Sequence, residues 1–176
     1  MIYMTENSLL STNYKVMKHL LLILSLFGLV SCSNSMMELN DSDKDKILQT
    51  IDNHEKTLIF IWAEYCHAGK QMLDKNIVPY LDGLEKNDVG IVLLYYGHGD
   101  FCDGLKSDNR LVITNGISTA LLIKINANNT MKKIVKNFKT SNYSPIPLLV
   151  DRNGFALNYN EESGHYDYTE IFEVAK

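Results

Sequence analysis

Cysteine, excess basic charge and membrane-length apolar runs are all scarce in this chain of 176 residues. The cysteines number 3, at Cys32, Cys66 and Cys102, so none lies close in sequence to another as a paired thiol or ligand. Lysine and arginine total 17 against 21 aspartates and glutamates, and the formal net charge is -4. A general nucleic-acid-binding role therefore has no electrostatic support. The apolar run L-L-L-I-L-S-L-F-G-L-V, Leu20 to Val30, falls well short of the ~20 residues a membrane-spanning helix needs. No internal repeat or low-complexity tract is present. What remains is ordinary: 45% hydrophobic and 22% charged residues, enough for one globular domain with a real core.

The short run has a context. Met17-Lys18-His19 precedes it, and Leu29-Val30-Ser31-Cys32 closes it. A basic start, a brief apolar stretch and a small residue make a secretory signal. The closing tetrad resembles the bacterial lipobox, whose cysteine is lipidated and becomes the first residue of the mature chain. The expectation is a signal peptide over 1–31, with Met17 as the cleaner start and 1–16 as an upstream extension. A lipidated tether then spans 32–40 and a folded domain 41–176. Several acyl chains on Cys32 suffice for stable anchoring. The domain would stand in the cell envelope, on the periplasmic or outer-membrane side, where conditions are oxidising.

Along the folded part, Asp41 to Lys56 reads as an amphipathic helix, with Ser42 as cap, Asp45 in the capping-box position, and Ile47, Leu48 and Ile51 on one face. Thr57 to Trp62 is a continuous apolar run, as in a buried strand. Cys66 opens a helical pattern carried by Met72, Leu73, Ile77, Tyr80, Leu81 and Leu84, with a break at Pro79. Asp88 to Tyr96 predicts a second buried strand, and Gly97 to Asn109 a loop. Leu111–Ile113 and Ala120–Ile125 are expected as strands. Thr130 is expected to cap a helix bearing Met131, Ile134, Val135 and Phe138. Leu148–Val150 and Phe155–Tyr159 flank D-R-N-G, a hairpin signal in which Gly154 supplies a positive φ. Tyr168, Ile171, Phe172 and Ala175 predict a terminal helix. Alternating strands and helices of this kind argue for an α/β sandwich on a mixed sheet.

Two landmarks carry a resemblance. W-A-E-Y-C ends the first long strand, and S-P-I-P-L-L-V-D-R-N-G precedes the hairpin. The chain resembles the thioredoxin-like proteins of the thiol-disulfide interchange type, whose pattern W-A-E-W-C-G-P-C-K is matched at Trp62, Ala63, Glu64, Cys66 and Lys70. The resemblance implies a three-layer sandwich with a central mixed sheet, a cis-proline loop and a C-terminal hairpin plus helix. It implies that Cys66 is the attacking cysteine and Pro145 the substrate-groove cis-proline, with Pro147 as its rival. An insertion over about Gly97 to Ser118 departs from the pattern.

The larger departure is chemical. The family's second cysteine resolves the mixed disulfide that the first one forms. Gly69 stands there instead. The buried acid that many members carry six residues before the first cysteine is here Phe60. Ordinary dithiol reduction by this motif is therefore not expected. Cys66 at a helix start would still feel backbone N–H groups and the helix dipole, both of which favour thiolate, and a protonated His67 would act the same way. The readings left open are a monothiol oxidoreductase with protein or peptide thiol partners, a redox-inactive module that binds a peptide in the same groove, and a copper-handling protein using Cys66, His67, Met72, His98 and Cys102. Cys102 is the candidate second thiol if the fold brings it to Cys66. His54 and His165 read as solvent-facing. No cofactor is implied.

Overall fold

A computed structural model describes residues 39–64, 66–116, 120–140 and 145–176. The expected signal peptide, Cys32 and all of the expected tether except Leu39 and Asn40 lie outside the described residues, as do Tyr65, Ser118, Tyr143 and Ser144.

The elements run α1 (Asp41–Asn53), β1 (Lys56–Ala63), α2 (His67–Met72), α3 (Leu81–Lys86), β2 (Gly90–Tyr96), β3 (Arg110–Asn115), α4 (Ala120–Ile134), β4 (Ile146–Asp151), β5 (Tyr159–Asn160), β6 (His165–Tyr166) and α5 (Thr169–Val174). The main sheet has the order β3-β2-β1-β4. β1, β2 and β3 are parallel, and β4 is antiparallel to β1. From Thr57 to Ala63 every residue of β1 is buried, as is all of β2. This explains why both strands read as unbroken apolar runs: the pleat sends alternate side chains to opposite faces, and both faces are covered.

One face carries Ile59, Ile61, Ala63, Val92, Leu94 and Tyr96 under Ile47 and Ile51 of α1 and Ile123, Ala127 and Met131 of α4. The other carries Leu58, Phe60, Trp62, Leu93 and Tyr95 under Leu73, Ile77, Leu81 and Leu84, with Ile171 of α5. Each fully buried aliphatic side chain here contributes about 1.5–3 kcal/mol of burial free energy. The result is the expected three-layer, thioredoxin-like α/β sandwich.

Several local expectations are corrected. α1 is capped by Asn40, whose side chain accepts from Asp43 N–H at 2.8 Å, rather than by Ser42. It stops at Asn53, because Lys56 already enters β1. Pro79 does mark a break: a π turn over Leu73–Ile77 and a 3-10 turn over Val78–Tyr80 separate α2 from α3. A 3-10 segment, Gly99–Leu105, lies within the expected loop. The expected strand Ala120–Ile125 is the first part of α4, and Thr130 lies inside that helix. Ile123, Ala127, Met131 and Ile134 fall on one helical face, and the core takes that face. His54 is half-buried, and its Nδ1–H donates to Thr50 O at 2.8 Å. His165 is half-buried too, its ring 3.0 Å from Ser163 O.

The hairpin after β4 is real but narrow. Gly154 has φ 82°, and Val150 bridges Ala156. Beyond Leu157, whose N–H donates to Leu149 O, a side chain replaces the strand. Asn158 accepts from Leu149 N–H and donates to Pro147 O and Asp167 O. Leu149 thus turns its backbone away from β1, and Pro147, two residues earlier, does the same. The missing N–H of Pro147 falls on the sheet edge, where it costs the ladder nothing.

Candidate functional site

The C-terminal ends of the parallel strands form one row, with Ala63 opposite Tyr96 and Tyr96 opposite Asn115. Cys66 follows β1 at this end. Its N–H donates to Ala63 O at 3.0 Å, and its carbonyl accepts from Lys70 N–H at 3.0 Å. It is the N-cap of α2, and Gly69 N–H donates to its sulfur at 3.2 Å. The half-buried thiol packs against the face that holds Ala63 and Tyr96.

Gly69 is buried for a local reason. A Cβ built there would lie 3.3 Å from both Cβ and Sγ of Cys66 and 3.5 Å from Trp62 Cβ. The His67 ring is exposed and meets Gln71 Nε2 at 3.1 Å, along its own helix. Pro145 is half-buried. The β1–β4 register ends at Ile61 opposite Ile146 and, continued by one residue, sets Pro145 across from Trp62 at the Cys66 end of the sheet. Pro147 pairs with Phe60, inside β4.

Cys102 is in a different place. It is fully buried and packs with Trp62, Leu93 and Tyr95 on the face opposite the one Cys66 touches. Burial pushes its thiol up, partly offset by the Thr114 hydroxyl. The 3-10 segment around it is held by Phe101, whose ring meets Tyr95 at 5.4 Å and lies under Lys70 Nζ at 5.3 Å. Its entry is fixed by His98 N–H, which donates to Glu64 Oε2 at 3.3 Å. No disulfide joins Cys66 to Cys102. Among the described residues no group of three His, Cys, Asp or Glu side chains is arranged to hold a metal ion. Alkylation at neutral pH should therefore label Cys66 and spare Cys102 until denaturant is added. Peptide mass mapping of the two sites checks this, and equal labelling in the native state would contradict the burial of Cys102.

Sequence reasoning placed Tyr96 at the end of a buried strand and passed over Asn115 and Asn126. Tyr96 is 1% exposed and Asn126 8% exposed. The Tyr96 hydroxyl, Asn115 Nδ2 and Asn126 Nδ2 are buried atoms without a hydrogen-bond partner among the described residues. Burial pushes the Tyr96 phenol up to about 12, and the neighbouring Asn115 amide offsets this only in part. The one available signal was polarity at the end of an apolar run, V-L-L-Y-Y. At the far end of the sheet, a cleft of about 460 Å³ is lined by Thr50, His54, Glu85, Asp88 and Arg110 among others. Its guanidinium is already engaged by Glu85 and Asp82.

No family model and no curated protein matches the chain. Solved structures do. The exposed lipoprotein thioredoxin of Streptococcus pneumoniae is similar at 13% identity over 73% of this chain and 87% of that one, with a TM-score of 0.39. A thioredoxin-like protein of Bacteroides caccae is similar at 15% identity over 70% of this chain and 40% of that one, with a TM-score of 0.40. The C-terminal domain of a Bacteroides fragilis protein is similar at 17% identity, over 68% and 76% of the two chains, with a TM-score of 0.42. By its own sheet order, strand directions and helix layers, this chain has a thioredoxin-like fold.

Proposed function

We propose that this chain is a lipid-anchored thioredoxin-fold protein of the cell envelope that captures partner disulfides through Cys66 alone. The supporting observation is the setting of that sulfur. It caps a helix, receives an amide hydrogen bond, and is only half-buried, while position 69 offers no thiol. Cys102, on the other face of the sheet, is no substitute. A lone thiolate attacks a disulfide sulfur, a new S–S bond forms, and the partner's second sulfur leaves with the electron pair. Release then waits for an outside thiol, so the natural outcome is a persistent mixed disulfide. Anchoring through Cys32 and residence on the periplasmic or outer-membrane side complete the reading.

Trapping tests it. Wild-type cells quenched in acid and alkylated should contain disulfide-linked adducts that vanish in Cys66→Ser, and the purified protein should show insulin reduction near zero. Robust insulin turnover, or the absence of any Cys66-dependent adduct, would end the proposal. Loss of fatty-acid incorporation in Cys32→Ser tests the anchor separately.

A further inference from the structure

The two edges of the main sheet, β3 and β4, are finished differently. On β4, the N–H of Leu149 and the carbonyl of Pro147 face away from β1 and are both taken up by Asn158. On β3, Asn115 O accepts from Gly97 N–H at 3.0 Å, so Asn115 turns its backbone toward β2. Backbone direction alternates along a strand in a ladder, so Leu111 and Ile113 turn the same way, while Val112 and Thr114 turn outward. Arg110 faces outward as well, but its N–H already donates to Ser107 O at 3.2 Å. Among the described residues nothing bonds to the outward N–H and C=O of Val112 and Thr114. Val112 is half-buried and Thr114 exposed. The devices that usually blunt such an edge are missing: from Leu111 to Asn115 there is no proline, no lysine and no bulge. Both open residues are β-branched, which suits further strand pairing.

We infer that β3 is a self-association edge, through which two copies of this chain join their sheets antiparallel, with Val112 of one opposite Thr114 of the other. The geometry of the opening selects a second copy as its occupant. Facing residues of an antiparallel ladder exchange both N–H···O bonds at alternate pairs. With Val112 opposite Thr114, a two-fold axis passes by Ile113 and the same pair occurs on either side of it. Every open donor then meets an open acceptor, and none is left over. No charge lies between Leu111 and Asn115, so identical copies meet without repulsion at the seam. The contact is short, which makes the dimer weak and dependent on concentration. Antiparallel pairing also sets the Cys66 ends of the two sheets at opposite ends of the joined sheet, so the two thiols do not meet. The inference stands on the sheet edge and not on the chemistry of Cys66.

Sedimentation equilibrium of the purified full chain under reducing conditions, across a concentration series, should show monomer passing to dimer. Amide hydrogen exchange read by NMR should slow at Val112 and Thr114 as the dimer forms. Exchange at Ile113, whose backbone faces β2, should not change. Val112→Pro deletes an N–H that the β2 ladder does not use, so the domain keeps its fold. It should weaken dimerisation at least about tenfold. Thr114→Lys places a charge at an exposed edge position, should act in the same direction, and carries the test if Val112→Pro fails to fold. Adduct formation at Cys66 should be the same in both variants as in the wild type. A wild type that stays monomeric throughout, or a dimer that survives both substitutions, overturns the inference and leaves capture at Cys66 standing.

Discussion

Gly69→Cys is expected to convert the protein into a working disulfide reductase, with insulin turnover at least about 100-fold above wild type. The geometry is nearly in place. The Cβ of a residue at position 69 would stand 3.3 Å from Cys66 Cβ and Sγ. A disulfide takes a Cβ–Cβ separation of about 3.5–4.5 Å, so the helix start must give by only a few tenths of an ångström. The gain comes from making resolution intramolecular. An external thiol at millimolar concentration competes poorly with one held on the same turn. The same substitution should abolish the trapped adducts, because the new thiol releases each partner. Phe60 limits the gain. It is fully buried where a proton-handling acid would be needed, and Phe60→Asp would bury an unpaired carboxyl there. If Gly69→Cys yields a dithiol with no reductase activity, then the missing second cysteine is not what holds the present site to single capture.

Asn158→Ala is expected to destabilise the domain by about 3 kcal/mol or more. Its melting temperature should fall by on the order of 10 °C, by scaling for a domain of this size. Asn158 is 3% exposed and joins three pieces of chain: the β4 edge at Pro147 and Leu149, the hairpin return, and the segment leading to α5. Truncation leaves Leu149 N–H and two carbonyls without this partner inside the protein. Asn158→Asp keeps an acceptor for Leu149 N–H but turns a donor toward two carbonyls into a repelling oxygen, so it should be destabilising as well. Thermal unfolding followed by circular dichroism reads both. A melting point near wild type for Asn158→Ala would show that the β4 edge finds other partners.

Much of the architecture was legible in the residues. β1 and β2 are apolar without alternation, which only a strand covered on both faces requires. W-A-E-Y-C closes β1, and S-P-I-P-L-L-V-D-R-N-G supplies β4, its antiparallel neighbour at the sheet edge. Cys66 at a helix start and Gly69 one turn later were equally plain, because capping is a local matter. Ala120 to Ile125 was not legible. A short apolar run suits a strand and a buried helix alike, and only the later recurrence at Ala127, Met131 and Ile134 against a filled face selects the helix.

By itself, the sequence determined the layers, the strand that carries the thiol and the lack of a partner thiol, since each follows from residue type and spacing along the chain. Tertiary packing alone decided the rest. It put Cys102 on the opposite face from Cys66, brought Tyr96 beside Asn115, and let Asn158 stand in for a strand. Those relations join residues distant in sequence, and strand register and face, which no local pattern encodes, determine which of them meet.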